Sequence, residues 1–147
     1  MKIYLDMCCF NRPYDDQSQL KIALEAQAKL SIQNSIKDGS VILVGSYILD
    51  YENSRNPFEM RRQAISQFIQ QNTSFYVSSE NDNLISNLAS EIMKSGVKEK
   101  DAYHVASAIY AECDYFISTD NRLLKYKSDK IKIVSPVEYI TNKEDDE

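Results

Sequence analysis

The sequence predicts an α/β protein, with helices in two layers around a mostly parallel sheet, that is, a three-layer α/β/α sandwich. Three observations predict this class. Short β-type runs alternate with longer segments whose apolar residues recur at helical spacing. The helical segments are long enough to cross over between parallel strands. One apolar run, VILV, is continuous, as in strands covered on both faces.

The first half of the chain contains two predicted strands. The first is KIYL at 2–5, and a helix is predicted from Gln17 to Lys37 by its mostly helical apolar spacing. The run at 41–44 is the second strand. Ser46 is predicted to cap a short helix that Pro57 stops.

The second half continues the alternation. A helix is predicted over 58–71, with Met60, Ala64 and Phe68 on its inner face and Ile65 and Ile69 beside them. The remaining predicted elements are a strand at 74–78, helices over 80–95 and 100–113, a strand at 115–118, a short helix at 120–126, a strand at 131–134 and a final helical turn at 136–140.

Composition narrows the class of protein. The 147 residues match one ordinary domain, which we expect over 1–140, followed by an acidic tail at 141–147. A net charge of −5 argues against wholesale electrostatic binding of a nucleic-acid backbone, but not against contacts made through metal ions. The chain lacks a membrane-length apolar run and a signal peptide, so we expect a cytoplasmic protein.

The three cysteines argue against a disulfide framework. Their number is odd, and Cys8 and Cys9 are adjacent, which favours reduced thiols. A structural zinc site is disfavoured because Cys113 and the single histidine, His104, are only loosely placed as ligands.

Acidic residues recur where the predicted strands end. Asp6 follows the first strand, Asp50 and Glu52 follow the second, Asp101 opens the helix before the fourth, and Asp120 comes just after the fourth. Each alone is compatible with a cap or a turn. Parallel strands bring their carboxyl ends to one edge, where the carboxylates repel one another and need a counter-charge. One or two Mg²⁺ or Mn²⁺ ions would supply it, and the matching chemistry is phosphodiester hydrolysis.

Three stretches carry a family resemblance. YLDMCCFNRP (4–13), GSYILDYE (45–52) and KDAYHVASAIYAECDYFISTDNRLL (100–124) resemble a PIN-domain protein, the nuclease fold that includes VapC-type toxins. The resemblance spans about residues 2–137 and implies a Mg²⁺- or Mn²⁺-dependent endoribonuclease that acts on RNA. It further implies the toxin of a type II toxin–antitoxin pair, with an antitoxin partner over the acidic pocket and a homodimer.

The resemblance assigns four catalytic and metal-binding acids: Asp6, Glu52, Asp101 and Asp120. Asp50 is the alternative to Glu52 as the second acid. Two residues that lie two positions apart on a helix point about 200° apart, so Asp50 and Glu52 cannot both face one pocket. We favour Glu52.

Several neighbours are assigned to the substrate or to support of these acids. Ser118 is implied to orient Asp120 or a bound water. Cys8 stands where relatives often carry Ser, Thr or Asn, and it is a poorer hydrogen-bond partner. Asn121 and Arg122 stand where many members add an acid, and Arg122 is either a phosphate contact or a solvated side chain.

Two further residues belong to this set. His104 lies one turn after Asp101, on the same helix face, and is either a structural residue beside the acids or a general base. Arg12 lies in the segment 10–16, which we expect to form a loop above the pocket.

Other functions remain open. One is a catalytically silent PIN-like module that binds RNA or protein and keeps the acids only as caps. Another is a metal-dependent phosphatase with Asp6 as nucleophile, although Cys8 stands where a second Asp would be expected. A thiol redox protein using Cys8 and Cys9 lacks the C-x-x-C spacing.

Overall fold

Five parallel strands form the central sheet in the computed structural model, which describes residues 1–145. Their order across the sheet is β3-β2-β1-β4-β5, so β1 lies at the centre. The strands are β1 (Lys2–Leu5), β2 (Ile42–Ser46), β3 (Thr73–Val77), β4 (Tyr115–Ile117) and β5 (Lys132–Val134). The prediction of an α/β fold with a mostly parallel sheet is confirmed.

Helices follow the strands and cover the sheet. Short 3₁₀ turns at Arg12–Tyr14 and Ser79–Asn81 precede two of them. The helices are α1 (Met7–Asn11), α2 (Leu20–Lys37), α3 (Tyr47–Ser54), α4 (Glu59–Asn72), α5 (Asp82–Met93), α6 (Glu99–Tyr110), α7 (Asn121–Leu124) and α8 (Pro136–Asp145).

The central strand is buried on both faces. Ile3, Tyr4 and Leu5 alternate in direction along β1 and are all inaccessible to solvent. Helices α5 and α6 pack against each other, as do α2 and α8. Both faces of the sheet are therefore covered, which is the three-layer arrangement that the continuous apolar run predicted.

The carboxyl ends of β1, β2 and β4 lie side by side, because β1 pairs with both neighbours in parallel. Just beyond β1, the Asp6 N–H donates a 2.9 Å hydrogen bond to the Ile117 carbonyl at the end of β4. The segments that follow these three strands thus start from one edge of the sheet.

One local prediction was wrong and another was wrong in part. Segment 10–16, predicted as a loop, continues α1 and then forms a 3₁₀ turn. In α4, Ile65 and Ile69 are buried and Phe68 packs against the core, as predicted, but Met60 is 86% exposed and Ala64 is also exposed. Adjacent positions lie about 100° apart on a helix, so the side of Ile65 and Ile69 faces the core and Met60 and Ala64 turn away from it.

The C-terminal part differs in length from the prediction. Helix α8 runs past residue 140, where the acidic tail was predicted to begin, as far as Asp145. The rest of that tail, 146–147, lies outside the described residues. Within residues 1–145, no helix is long and apolar enough to cross a membrane. All three cysteines are free thiols.

Candidate metal centre

Asp6 lies at the centre of the sheet edge and is held from both sides. Its Oδ1 accepts the Met7 N–H at 2.8 Å, and its Oδ2 accepts the Ser118 hydroxyl at 2.9 Å. Only 6% of the residue is exposed. Because each carboxylate oxygen has two lone pairs, these bonds orient Asp6 and leave it able to bind a cation.

Ser118 connects Asp6 with Asp120. Its Oγ donates to Asp6 and accepts the Asp120 N–H at 3.1 Å. The Cys8 Sγ lies 3.5 Å from both Asp6 Oδ2 and Ser118 Oγ, and it accepts the Thr119 N–H at 3.3 Å. Ser118 therefore orients the Asp6 side chain directly and reaches Asp120 through its backbone.

Glu52 projects from α3 toward the same edge. Its Oε1 lies 2.9 Å from His104 Nε2, and its Oε2 lies 3.1 Å from the Lys100 ammonium. Burial by itself raises the pKa of Glu52, but the bonds from His104 and Lys100 outweigh burial and hold the pKa below its usual value. The side chain is thereby kept as a carboxylate in a fixed orientation.

His104 is fully buried and joins Glu52 to the central strand. Its Nδ1 lies 2.6 Å from the Tyr4 hydroxyl, which also lies 2.7 Å from Ser46 Oγ. A carboxylate only accepts, so Nε2 donates to Glu52, and in a neutral ring Nδ1 accepts from Tyr4. Burial raises the pKa of Tyr4 well above its usual value, which keeps its proton available for this bond.

Asp6, Glu52 and His104 form the tightest group of possible ligands. One ligand atom from each lies within 4.8 Å of the others, and no other such trio occurs among the described residues. Both ring nitrogens of His104 already have hydrogen-bond partners. The carboxylate oxygens are therefore the atoms available to a cation, and such hard oxygen ligands suit Mg²⁺ or Mn²⁺.

Asp101 and Asp120 lie next to this group and line a common cleft of about 250 Å³. The pKa of Asp101 is raised, first by burial and then by the negative charges of Asp6 and Asp120. The electrostatic coupling indicates that these three acids share one region. Asp120 also caps α7, since its Oδ1 accepts the backbone N–H groups of Arg122 and Leu123.

Asp50 points away from the other acids. It is exposed, accepts the Tyr76 hydroxyl at 2.7 Å, and lines a separate cleft with Asn53 and Arg62. The two acids of α3 thus lie on different sides of the helix, as the spacing predicts, and Glu52 is the one beside Asp6.

The predicted outer residues fall in different places. Arg122 lines the cleft of Asp101 and Asp120. Asn121 accepts a 3.0 Å hydrogen bond from Lys21. Arg12 forms ion pairs with Asp15 at 2.8 Å and with Glu25 of α2 at 3.1 Å.

Three residues of the centre were missed from the sequence: Tyr4, Ser46 and Lys100. Tyr4 lies two positions before Asp6, and this spacing puts both side chains on one face of a strand, which could have identified it. Lys100 precedes Asp101 directly. The pairing of Tyr4 with Ser46 depends on the alignment of β1 with β2 and has no local signal.

Neither a protein-family model nor a curated protein matches the sequence significantly. Solved structures do match. VapBC2 from Rickettsia felis bound to a DNA fragment from its promoter has a TM-score of 0.58 at 10% identity, covering 90% of this chain and 97% of that one. FitAcB from Neisseria gonorrhoeae has a TM-score of 0.56 at 14% identity, covering 91% and 97%. FitAB bound to an IR36 DNA fragment has a TM-score of 0.58 at 15% identity, covering 92% and 95%.

These likenesses extend over nearly the whole of this chain and of each neighbour. At such low identity they concern the course of the backbone. The chain therefore has the PIN-like fold that its sequence motifs predicted.

Proposed function

We propose that this protein is a divalent-metal-dependent endoribonuclease and the toxin of a type II toxin–antitoxin pair. The observation that carries the proposal is the convergence of Asp6, Glu52, Asp101 and Asp120 at one sheet edge. They come from four segments far apart in the chain. Caps alone would not require them to share one site, whereas a cation that binds oxygen would.

Residues around the acids are arranged to hold a cation in a defined place. Ser118 and the Met7 N–H orient Asp6, and His104 with Lys100 orients Glu52. When bound, Mg²⁺ or Mn²⁺ supplies Lewis acidity toward a phosphodiester and lowers the pKa of water. The fixed carboxylates of the chain would orient the reacting groups for hydrolysis. The family resemblance implies 5′-phosphate and 3′-hydroxyl products.

The partners proposed are RNA, an antitoxin and a second copy of the chain. VapBC and FitAB are toxin–antitoxin complexes, which supports an antitoxin partner here. A basic side chain of such a partner would neutralise the crowded acids and so compete with the cation. The homodimer rests on the family resemblance.

The proposal is tested by thermal unfolding of metal-free protein titrated with Mn²⁺, beside an Asp6→Asn/Asp120→Asn variant. A ligand at 100 times its dissociation constant adds about 2.7 kcal/mol to the free energy of unfolding. We expect a clear rise in melting temperature for the wild type and none for the variant. RNA cleavage should be lost with the metal response.

The two acids of α3 provide a matched control. Glu52→Gln should abolish the Mn²⁺ response and cleavage, whereas Asp50→Asn should leave both close to wild type because Asp50 faces another cleft. The opposite result would identify Asp50 as the second acid.

A second candidate is an RNA- or protein-binding module without catalysis. It is favoured because the Asp6 and Asp120 carboxylates accept hydrogen bonds from backbone N–H groups at helix starts, so caps explain those positions without a metal. An unchanged melting temperature with Mn²⁺, together with tight RNA binding and no cleavage, would support this candidate and contradict the nuclease.

A further inference from the structure

Glu52 lines a large cleft with exposed aromatic rings. The cleft has a volume of about 910 Å³ and is bounded by α3, the start of α4 and the start of α6. Tyr51 is 64% exposed and Phe58 is 58% exposed, and Tyr14 lies close by. Single exposed apolar residues are common, but several around one cleft mark a binding surface.

An arginine side chain lies over each exposed ring in and beside this cleft, and Arg61 lies near two of them. The Arg61 guanidinium lies 4.5 Å from the Phe58 ring centre and 5.2 Å from that of Tyr14. Arg55 lies 5.9 Å from the ring centre of Tyr51. Cations at these distances are attracted to aromatic faces. Positive charge therefore lies beside each of these rings.

The positive charge in the cleft is partly free for a ligand. Glu52 is paired with Lys100 and His104, and Asp15 is paired with Arg12 and, at 3.8 Å, with Arg61. Among the residues that the structure describes, Arg55 and Glu99 line the cleft without an ion-pair partner, and Arg55 is the free cation. A ligand that combines flat rings with negative charge, as a nucleic acid does, can stack on the exposed rings and pair with Arg55.

The cleft on the other side of the acids has a different character. It is lined by Asp101 and Asp120 and by three basic residues, Lys98, Arg122 and Lys125. Its aromatic residue, Tyr126, is half-buried against the core. This side offers charge for phosphates without an exposed ring for a base. Glu52 lines the first cleft and is grouped with Asp6, whose charge acts on Asp101 in the second cleft.

We propose that single-stranded RNA binds differently on the two sides of the phosphate that is cut. On one side, bases leave their stack and pack on the rings of Tyr51 and Phe58. On the other side, the RNA is bound through its phosphates. This inference rests on the proposed function and adds a base-binding subsite to it. Stacking of this kind tolerates any base, since every base has a flat face. Duplex RNA is excluded because its bases are already stacked.

The test is cleavage of a mixed-sequence 20-nucleotide RNA in which single positions are made abasic in turn. Loss of a stacked base should slow cleavage about 5- to 150-fold. We expect this loss at one or two positions on one side of the cut and less than about two-fold on the other side. Equal losses on both sides would overturn the proposal.

A variant assigns the effect to the cleft. In Tyr51→Leu the abasic penalty should largely disappear, because the ring that the base contacts is gone. Tyr51 is exposed, so the change leaves the core intact. The control is Tyr110→Leu, a half-buried tyrosine that lines another cleft with Leu84 and Leu88 and with none of the four acids, which should keep the full penalty. A penalty that persists in Tyr51→Leu refutes the subsite.

Failure of the proposed nuclease can be told apart from failure of the subsite. If no RNA is cleaved, anisotropy of the same fluorescent oligonucleotide measures binding directly. Weaker binding by Tyr51→Leu and Phe58→Leu than by Tyr110→Leu would still support the subsite. Equal RNA binding by all variants would overturn it. Loss of a co-purified protein from the two cleft variants, with RNA binding unchanged, would identify the cleft as a protein interface.

Discussion

The hydroxyl of Tyr4 is expected to be worth a measurable part of the stability of this protein. It lies in the centre of the sheet, fully buried, between Ser46 Oγ and His104 Nδ1. Tyr4→Phe removes one oxygen and keeps the ring, including its stacking on Phe116. The substitution therefore tests the hydrogen-bond chain with little change in packing.

The magnitude follows from the partner that is left behind. Without the hydroxyl, Nδ1 of the buried His104 loses its hydrogen-bond donor, which costs about 1–3 kcal/mol. Ser46 keeps its bond from the Leu49 N–H, so its loss is smaller. With a slope of about 2 kcal/mol per molar urea, the unfolding midpoint should fall by roughly 0.5–1.5 M.

The matched control is Tyr139→Phe. The Tyr139 ring is also buried, but its hydroxyl donates at 3.5 Å to the sulfur of Met1, a weak acceptor. Its midpoint should change by less than half as much. Equal midpoints for wild type, Tyr4→Phe and Tyr139→Phe would refute the reasoning that the Tyr4 chain is a buried and satisfied network.

The same variant tests whether the hydrogen-bond chain from Tyr4 through His104 positions Glu52 for the metal. His104 is held by Tyr4 and in turn holds Glu52, so Tyr4→Phe should weaken Mn²⁺ binding by about 10–100-fold, the usual effect of losing an outer partner of a metal ligand. A loss of stability with unchanged Mn²⁺ affinity would show that these hydrogen bonds support only the fold.

Three further predictions concern other parts of the molecule. Burial lowers the pKa of Lys29 to about 8, so folding disfavours the charged amine. The Lys29→Met variant should therefore have a free energy of unfolding up to about 3 kcal/mol higher than the wild type at pH 7. In urea melts this difference should shrink between pH 8 and 10.5, where Lys29 is protonated mainly in the unfolded chain. Gly45→Ala should lose about 1–3 kcal/mol, since the new methyl would lie 2.9 Å from Thr73 Oγ1; an unchanged urea midpoint would contradict this. Asp101→Asn should raise the melting temperature in EDTA, because it removes a partly buried charge that Asp6 and Asp120 repel, and it should reduce the Mn²⁺ response; a lower melting temperature in EDTA would argue against repulsion.

The order and type of the larger elements were predictable from the sequence. Apolar periodicity is a local property, and it located all five strands within about two residues and the long helices within about three. Helix α1 was missed because five residues are too short for a periodic signal. It forms because Asp6 caps it and because Cys9 and Phe10 are buried in the core.

Buried charges in α2 show a second limit. Glu25 and Lys29 are buried although both look like solvent-facing residues of an amphipathic helix. Lys29 lies 5.5 Å from the ring centre of Phe10 and 5.2 Å from that of Phe68. These rings come from α1 and α4, so the environment of Lys29 depends on how three helices pack and on nothing within α2 itself.

The sequence by itself determined that Asp6, Asp120 and one acid of α3 would meet at one edge, because parallel strands end together. The tertiary structure decided which acid that is. Tyr76 of β3 donates a hydrogen bond to Asp50, whereas His104 and Lys100 of α6 bind Glu52. It also decided that Tyr4 and Ser46 support the site. Periodicity records which face of an element is apolar, whereas these pairings depend on the register of β1 with β2 and on the packing of α3 against α6, which are long-range and leave no local pattern.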